Sequence, residues 1–387
     1  MVLAVAGVAS APHWSGSVPW TDPDALWYQA RVEAIQGHDE DQEAAVERLF
    51  ASPIAGELHS YEAHLPVSER QWTNPWLGAS QFFERRWLVP AMAAAIDPIS
   101  GIRSLMDLSL LAYLLLGPAL YLLLRQRFSV VASVVVASIC ILAPPVRDHS
   151  FIPMTDSWGL LLETLALLAA ALALDRGDRW LLAWVAAILA LSFTRDNHIV
   201  PLVAVICLAL HQRDRRSALL VGSGIAAAIP AFLIFGTASA RDNLVYVLSG
   251  FDRDAVGREG WGFILEEYWP ALKDTLHADL TYGRDLGWEA FPWYAGLALA
   301  AVGLVLMFRG TAAADPFFRM IRYSVLGAIA LLAVAGPQDA GLRFELVLLP
   351  PLAVALALAG ERLAERLEAA GWLPGTRRKR LGYADAS

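Results

Sequence analysis

Residues 102–124 read IRSLMDLSLLAYLLLGPALYLLL, twenty-three positions whose only charges are Arg103 and Asp107, followed at once by Arg125 and Arg127. A stretch of ~20 apolar residues is what a helix needs to cross a hydrocarbon core of roughly 30 Å. Eight further runs of this character lie near 129–146, 155–174, 179–194, 196–212, 217–238, 290–308, 320–338 and 342–360, several only just long enough. They lack the alternation of an outer-membrane barrel strand, and a backbone facing lipid must satisfy its own hydrogen bonds, so helices alone suit them.

Composition agrees with this reading. The 387 residues are 57% apolar and 18% charged, with a mean hydropathy of +0.46 and a formal charge of −8. A water-soluble single domain is excluded by that combination, and the 28 Gly and 21 Pro follow no short period that would mark a collagen-like chain. Cys140 and Cys207 both fall inside apolar runs, where a thiol is a small buried hydrophobe, so no disulfide scaffold and no redox compartment can be read. Met1 to Ala11 is apolar but too short to span and carries no basic leader, so it reads as a clipped first helix rather than a signal peptide.

The expectation is an all-α polytopic membrane protein with about nine to ten transmembrane helices and two extracytoplasmic insertions. Its parts are a truncated first helix (1–11), an acidic outer segment (12–101), six spans (102–238), an outer connection (239–289), three spans (290–360) and a basic tail (361–387). Short cytoplasmic loops collect Lys and Arg. Alternate connections do so here, at Arg125 and Arg127, at Arg176 and Arg179, at Arg213, Arg215 and Arg216, at Arg309, Arg319 and Arg322, and at Arg377 to Arg380. Both termini are therefore expected in the cytoplasm. The tail's four basic residues suit anionic lipid, and on an acidic protein they do not suit nucleic acid.

Most of the unusual polar residues fall on the opposite, outer side. Pro12 to Gly101 holds thirteen Asp and Glu against five Arg, a surface able to attract a divalent cation or simply to stay hydrated. Within it, Thr21-Asp22-Pro23-Asp24 precedes Leu26-Trp27-Tyr28. Two readings stand for Asp22 and Asp24: helix capping, or a catalytic or metal-binding carboxylate. Arg85 and Arg86 adjoin Trp87 to Pro90, either as interfacial arginines or as a planar fork for a phosphate at headgroup depth. Thr155 and Asp156 open a span as a cap, but Glu163 lies two turns deeper on about the same face, which points to a polar cavity.

Thr194-Arg195-Asp196-Asn197-His198 is so short a loop that its side chains must sit near the outer mouth, and Arg343 lies on that face too. Together they allow a phosphate site lined by arginines. His38, His59 and His64 match no zinc spacing and read as solvated loop residues before a metal site. The connection 240–289 carries Tyr246, Trp261, Tyr268, Trp269, Tyr282 and Trp288, enough to pack a helix on the membrane, to stack on a sugar or to form a lid. No phosphate-binding Gly-x4-Gly-Lys loop, His-Glu-x-x-His or Gly-x-Ser-x-Gly occurs, which excludes a typical ATP-driven pump, zincin or serine hydrolase. Gly222-Ser223-Gly224, inside a span, reads as close helix packing.

Taken in order, these features resemble the GT-C polytopic membrane glycosyltransferases, and among them bacterial proteins of that architecture. The resemblance rests on Asp22 and Asp24 before Trp27-Tyr28, the run Arg85 to Pro90, Thr155-Asp156-Ser157 opening a span, Thr194-Arg195 at a helix end, and Arg343 followed by Leu349-Pro350-Pro351. It implies a bacterial inner-membrane enzyme that moves a hexosyl or pentosyl group from a polyprenyl-phosphate-linked donor to a glycan or lipid acceptor at the outer face. Asp22 or Asp24 would then be the base, and Arg85, Arg86, Arg195 and Arg343, with Asp156 among them, would line the phosphate site. No cofactor beyond an optional divalent cation is implied. The acidic stretch His38 to Glu69 has no counterpart in that resemblance.

Two other classes compete: a transporter or flippase with Asp107, Asp156 and Glu163 facing a pathway, and a non-catalytic scaffold displaying the outer segments. The orientation common to all three has its own test. A reporter fused after Gln212 or Arg309 is expected to report cytoplasm, and outer-face activity at either fusion would invert the topology.

Overall fold

The computed structural model of the chain describes residues 1–14, 23–37, 42–52, 86–235, 240–250, 253–282, 284, 287, 290–337, 342–370 and 372. In order they form α1 (Val2–Ser10), α2 (Pro23–Ile35), α3 (Gln42–Ala51), α4 (Leu88–Ser100), α5 (Ser104–Leu124), α6 (Val130–Leu142), α7 (Pro144–Ser150), α8 (Asp156–Arg176) and α9 (Leu181–Ser192). The chain continues through α10 (Ile199–Gln212), α11 (Arg215–Phe235), α12 (Ala240–Leu248), α13 (Arg253–Arg258), α14 (Trp261–Tyr282), α15 (Ala290–Leu306), α16 (Gly310–Ala314), α17 (Pro316–Ala335) and α18 (Leu349–Ala369). Short 3-10 turns join several of them, and no strand occurs among the described residues.

The all-α polytopic architecture read from the sequence is thus the one adopted. Five helical stretches, Leu88–Leu124, Asp156–Arg176, Arg215–Phe235, Pro316–Ala335 and Glu345–Ala369, are long and apolar enough to cross a membrane. A sixth is available if α6 and α7, bent by 58°, are one span. The bend has a local cause: Pro144 and Pro145 lack amide hydrogens, and Ala143 before them leaves helical geometry at ψ 132°. Each of the nine apolar runs contains helix among its described residues, but α9 spans only 12 residues and α10 14. Connections as tight as the one between α9 and α10 must be made from residues that read as span. Leu88–Leu124 is likewise interrupted, at Gly101, whose φ of +58° turns the chain between α4 and α5.

α8 is the spine of the bundle, packing against α5, α9, α10, α11, α17 and α18, with 83% of its apolar window buried. Backbones come closest where α15 crosses α18: a Cβ on Gly303 would lie 1.8 Å from the carbonyl oxygen of Ala355, so only glycine fits. A second core lies beyond the bundle's end. Trp27, Tyr28 and Leu26 of α2 and Leu49 of α3 are buried with Val89 and Ala93 of α4 and Met154, so part of the acidic outer segment folds onto the bundle.

Polar side chains partition to two ends. At one, Arg127 after α5 is bidentate to Asp175 at the end of α8, with Nη1 and Nη2 at 2.7 and 3.0 Å, and also reaches Asp315 ahead of α17 through Nε at 2.7 Å. Ser129 caps α6, Asp315 caps α17, and Asp214 accepts from the amides of Arg216 and Ser217 to cap α11. Slight burial works against the Asp214 carboxylate, yet these bonds hold its pKa below the ordinary value. At the other end Arg103 donates to the carbonyls of His13 and Trp14, and Asn243 to those of Val334 and Ala335.

The glycine contact makes a stability prediction. Gly303→Ala is expected to destabilise the protein by about 1–3 kcal/mol through overpacking. Gly296→Ala in the same helix, where a Cβ meets nothing within 4 Å, should be neutral or mildly stabilising in the same thermal-unfolding series. Equal effects at both positions would refute the close crossing.

Candidate functional site

Five chain segments bring polar groups to one mouth of the bundle, at the end bearing Arg103 and Asn243. α2 places Asp24 in its first turn and Tyr28 one turn further along the same face. Arg86 stands two residues before α4, Asp156 is the first residue of α8, Arg195 to His198 lead into α10, and Arg343 precedes the 3-10 turn that opens α18. Because α2, α4, α8 and α10 all start here, their positive dipole ends face the same space.

Asp156 is the hub. It is 6% exposed and forms an ion pair with Arg195, while Arg343 Nε and Nη2 donate to its two oxygens at 3.1 and 3.2 Å. Arg343 Nη2 also donates to Asp24 at 2.6 Å, joining α2 to the hub across more than three hundred residues of chain. Arg86 Nη1 donates to the Tyr28 hydroxyl at 2.7 Å, and that oxygen accepts a second bond from Thr155 Oγ1 at 2.9 Å. Desolvation opposes the charge on Arg86, but Tyr28, Asp24 and Asp196 outweigh it and raise its pKa above the usual guanidinium value. Deeper in α8, the fully buried Glu163 accepts from Asn197 Nδ2 at 3.0 Å.

These groups open into a small cleft lined by both charged and apolar side chains. Arg86, Asp156, Arg195, Asp196, Asn197 and Arg343 are its polar lining, and Leu160, Leu331, Leu332, Ala335, Leu346 and Val347 its apolar lining. Among the polar groups three arginines stand with three carboxylates, counting Asp24, so the resting site is close to neutral. An anion entering it must take a guanidinium from an internal carboxylate.

Of the residues singled out in the sequence, Asp24, Arg86, Asp156, Arg195 and Arg343 are brought together. Asp22 and Arg85 lie outside the described residues, as do His38, His59, His64 and the Arg377 to Arg380 tail. Asp156 does not present itself as a direct phosphate ligand; its role in this arrangement is to hold Arg195 and Arg343 side by side. Asp107 is separate, 3.7 Å from Arg103. Among the described residues no group of three or more His, Cys, Asp or Glu is placed to hold a metal ion.

Sequence reasoning missed the part played by Tyr28, visible only as the residue four positions after Asp24, and that of Gly159. A Cβ at Gly159 would fall 2.8 Å from Arg195 Cδ, so this glycine is what lets the Arg195 side chain lie across α8 to reach Asp156. No family model and no curated protein matches the chain, so its chemistry must be read from these groups.

A change of sign tests the Gly159 contact. Alanine in place of glycine inside a helix ordinarily adds about 1 kcal/mol. Gly159→Ala is expected to destabilise the otherwise native protein and to stabilise an Arg195→Ala variant. Additive effects in that double-mutant cycle would mean that the two side chains do not meet.

Proposed function

We propose that the chain is a multi-pass glycosyltransferase of the cell membrane, taking its sugar from a polyprenyl-phosphate-linked donor, with the cleft at the outer face and the C-terminus in the cytoplasm. The observation that carries the reading is the mixed lining of the cleft: three guanidinium groups together with leucines, valine and alanine, at the end of an apolar helical bundle, suit an amphiphile with an anionic head. The resemblance to GT-C enzymes supplies the reaction class.

The chemistry follows from the charge balance. A donor phosphodiester oxygen competes for Arg343 and Arg195 and displaces Asp24 from its 2.6 Å bond. Asp24, no longer held by Arg343 and lying beside the bound donor, accepts the proton of the acceptor hydroxyl as that oxygen forms its bond to the anomeric carbon. The anomeric carbon–oxygen bond breaks and the electron pair leaves on the lipid phosphate, whose growing charge is met by Arg86, Arg195 and Arg343 and by the helix N-termini. The apolar lining holds the first isoprene units of the lipid.

Asp24 thus carries opposite signs for binding and turnover. Asp24→Asn is expected to lower sugar transfer from a radiolabelled polyprenyl-phosphate sugar pool by about 10²- to 10⁴-fold. The same variant should bind a short-chain polyprenyl phosphate at least as tightly as the native protein, whereas Arg343→Ala loses binding. Transfer retained in Asp24→Asn would remove this residue as the base, and no transfer by native membranes above empty ones with any common donor would overturn the proposal.

A further inference from the structure

α14 has three faces, and each meets a different environment. At 3.6 residues per turn, Ile264, Tyr268 and the buried Thr275 share one arc, and Ile264 and Tyr268 pack toward Leu244 and Val245 of α12. Glu266, Glu267, Lys273, Asp274 and His277 share a second arc. Between them, Trp261, Leu265, Trp269, Leu276 and Leu280 form a third arc of roughly 100° that no described residue covers, with Leu265 72% and Trp269 69% exposed; Asp279 stands at the edge of this arc that borders the protein-facing one, level with Trp261.

A helix in bulk water has no reason to carry a bare apolar stripe beside a polar one, whereas a helix at a membrane surface needs protein, hydrocarbon and water on successive sides. The backbone gives an independent orientation. Pro270 has no amide hydrogen to offer the carbonyl of Glu266, and both residues are exposed on the polar side, where water can satisfy that oxygen and hydrocarbon cannot.

Its position in the fold sets the depth. Tyr268 donates to the carbonyl of Ala333 near the end of α17, beside the cleft-lining Leu332 and Ala335. Tyr294 of α15 donates to the carbonyl of Leu280, seating the last turn of α14 against a helix whose exposed Phe291 continues the apolar surface. The stripe is therefore continuous with the outside of the bundle.

We infer that α14 lies in the membrane plane at the cleft end of the bundle, with Trp261, Leu265, Trp269, Leu276 and Leu280 set into the acyl-chain boundary of that leaflet. Its partner is hydrocarbon rather than anionic headgroups, because the polar arc carries Glu266, Glu267 and Asp274 against a single lysine, Lys273. The helix fixes how deep the cleft sits, whatever reaction the cleft performs.

Single-cysteine variants Leu265→Cys, Leu276→Cys, Glu266→Cys and Lys273→Cys, in a Cys140→Ser, Cys207→Ser background, provide the test. They are nitroxide-labelled in phosphatidylcholine nanodiscs and relaxed by oxygen or by a water-soluble nickel chelate. Positions 265 and 276 are expected to favour oxygen several-fold over nickel, and 266 and 273 the reverse, unchanged when phosphatidylglycerol is added. Nickel access at 265 equal to that at 266 would place the stripe in water. Shielding from both reagents would mean that protein covers it, and a strong response to phosphatidylglycerol would mean headgroup recognition; each result overturns the inference. Should the cysteine background fail to fold, quenching of the otherwise native protein by brominated phosphatidylcholine must fall when Trp261 and Trp269 are both changed to Phe, and unchanged quenching would overturn it equally.

Discussion

The mouth of this bundle depends on Asp156 being held between Arg195 and Arg343. A carboxylate this buried loses its hydration, and only paired, hydrogen-bonded cations make the loss tolerable. Here they come from two other segments, the α9–α10 connection and the approach to α18, so one ion cluster fixes the relative positions of three spans. Arg343 extends the cluster to Asp24, and with it α2 and the outer core are tied to the bundle. Gly159 makes the geometry possible by leaving room for a long side chain where any Cβ would block it.

The two ends of α8 show which charges serve architecture alone. At its C-terminus Asp175 sits where the helix dipole disfavours an anion, and one arginine, Arg127, answers both it and Asp315. That clamp is closed, with its guanidinium bonded on every edge to side chains. At the N-terminus the dipole already favours Asp156, yet two arginines converge on it, a third lies close by, and the group borders an open cleft. Three arginines and three carboxylates, Asp24 and Asp196 included, are gathered there, more charge of both signs than holding one favoured carboxylate requires. That concentration beside an open cleft, rather than the presence of ion pairs as such, marks this end as the candidate site.

The fold class was legible because the bilayer leaves few options: apolar runs near the thickness of the hydrocarbon core must be helices. Lengths were less legible, since nothing in 179–194 or 196–212 says how much of each run the tight Arg195 to His198 connection will consume. The residues of the site were readable one at a time, as charges out of place beside apolar runs. Their pairing was not: that Arg343 would meet both Asp156 and Asp24 depends on the packing of α18 against α8 and α2 against the mouth, which no local pattern encodes. Tyr28 and Gly159 were invisible for a related reason. A buried tyrosine and a helical glycine read as core until a neighbour gives them a task.

The near-neutral resting state also bears on selectivity. On the reading proposed above, an open cleft at headgroup depth is surrounded by phospholipids, and free guanidinium groups there would bind whichever phosphate arrived first. With Asp24 and Asp156 already on Arg343 and Arg195, a ligand gains only the difference between its own contacts and those it displaces. On the reading proposed above, a common headgroup offers a phosphate and little else, so the exchange is close to balanced. A polyprenyl-linked sugar adds an isoprenoid chain for the apolar lining and hydroxyl groups for the polar lining around Asn197, and these added contacts tip the exchange. The same displacement that admits the donor takes Arg343 from Asp24, so the base becomes available when the group it must serve is in place. Occupied arginines would then keep the site quiet in a membrane full of competing phosphates, and this is a physical reason for placing two carboxylates inside a site meant for an anion.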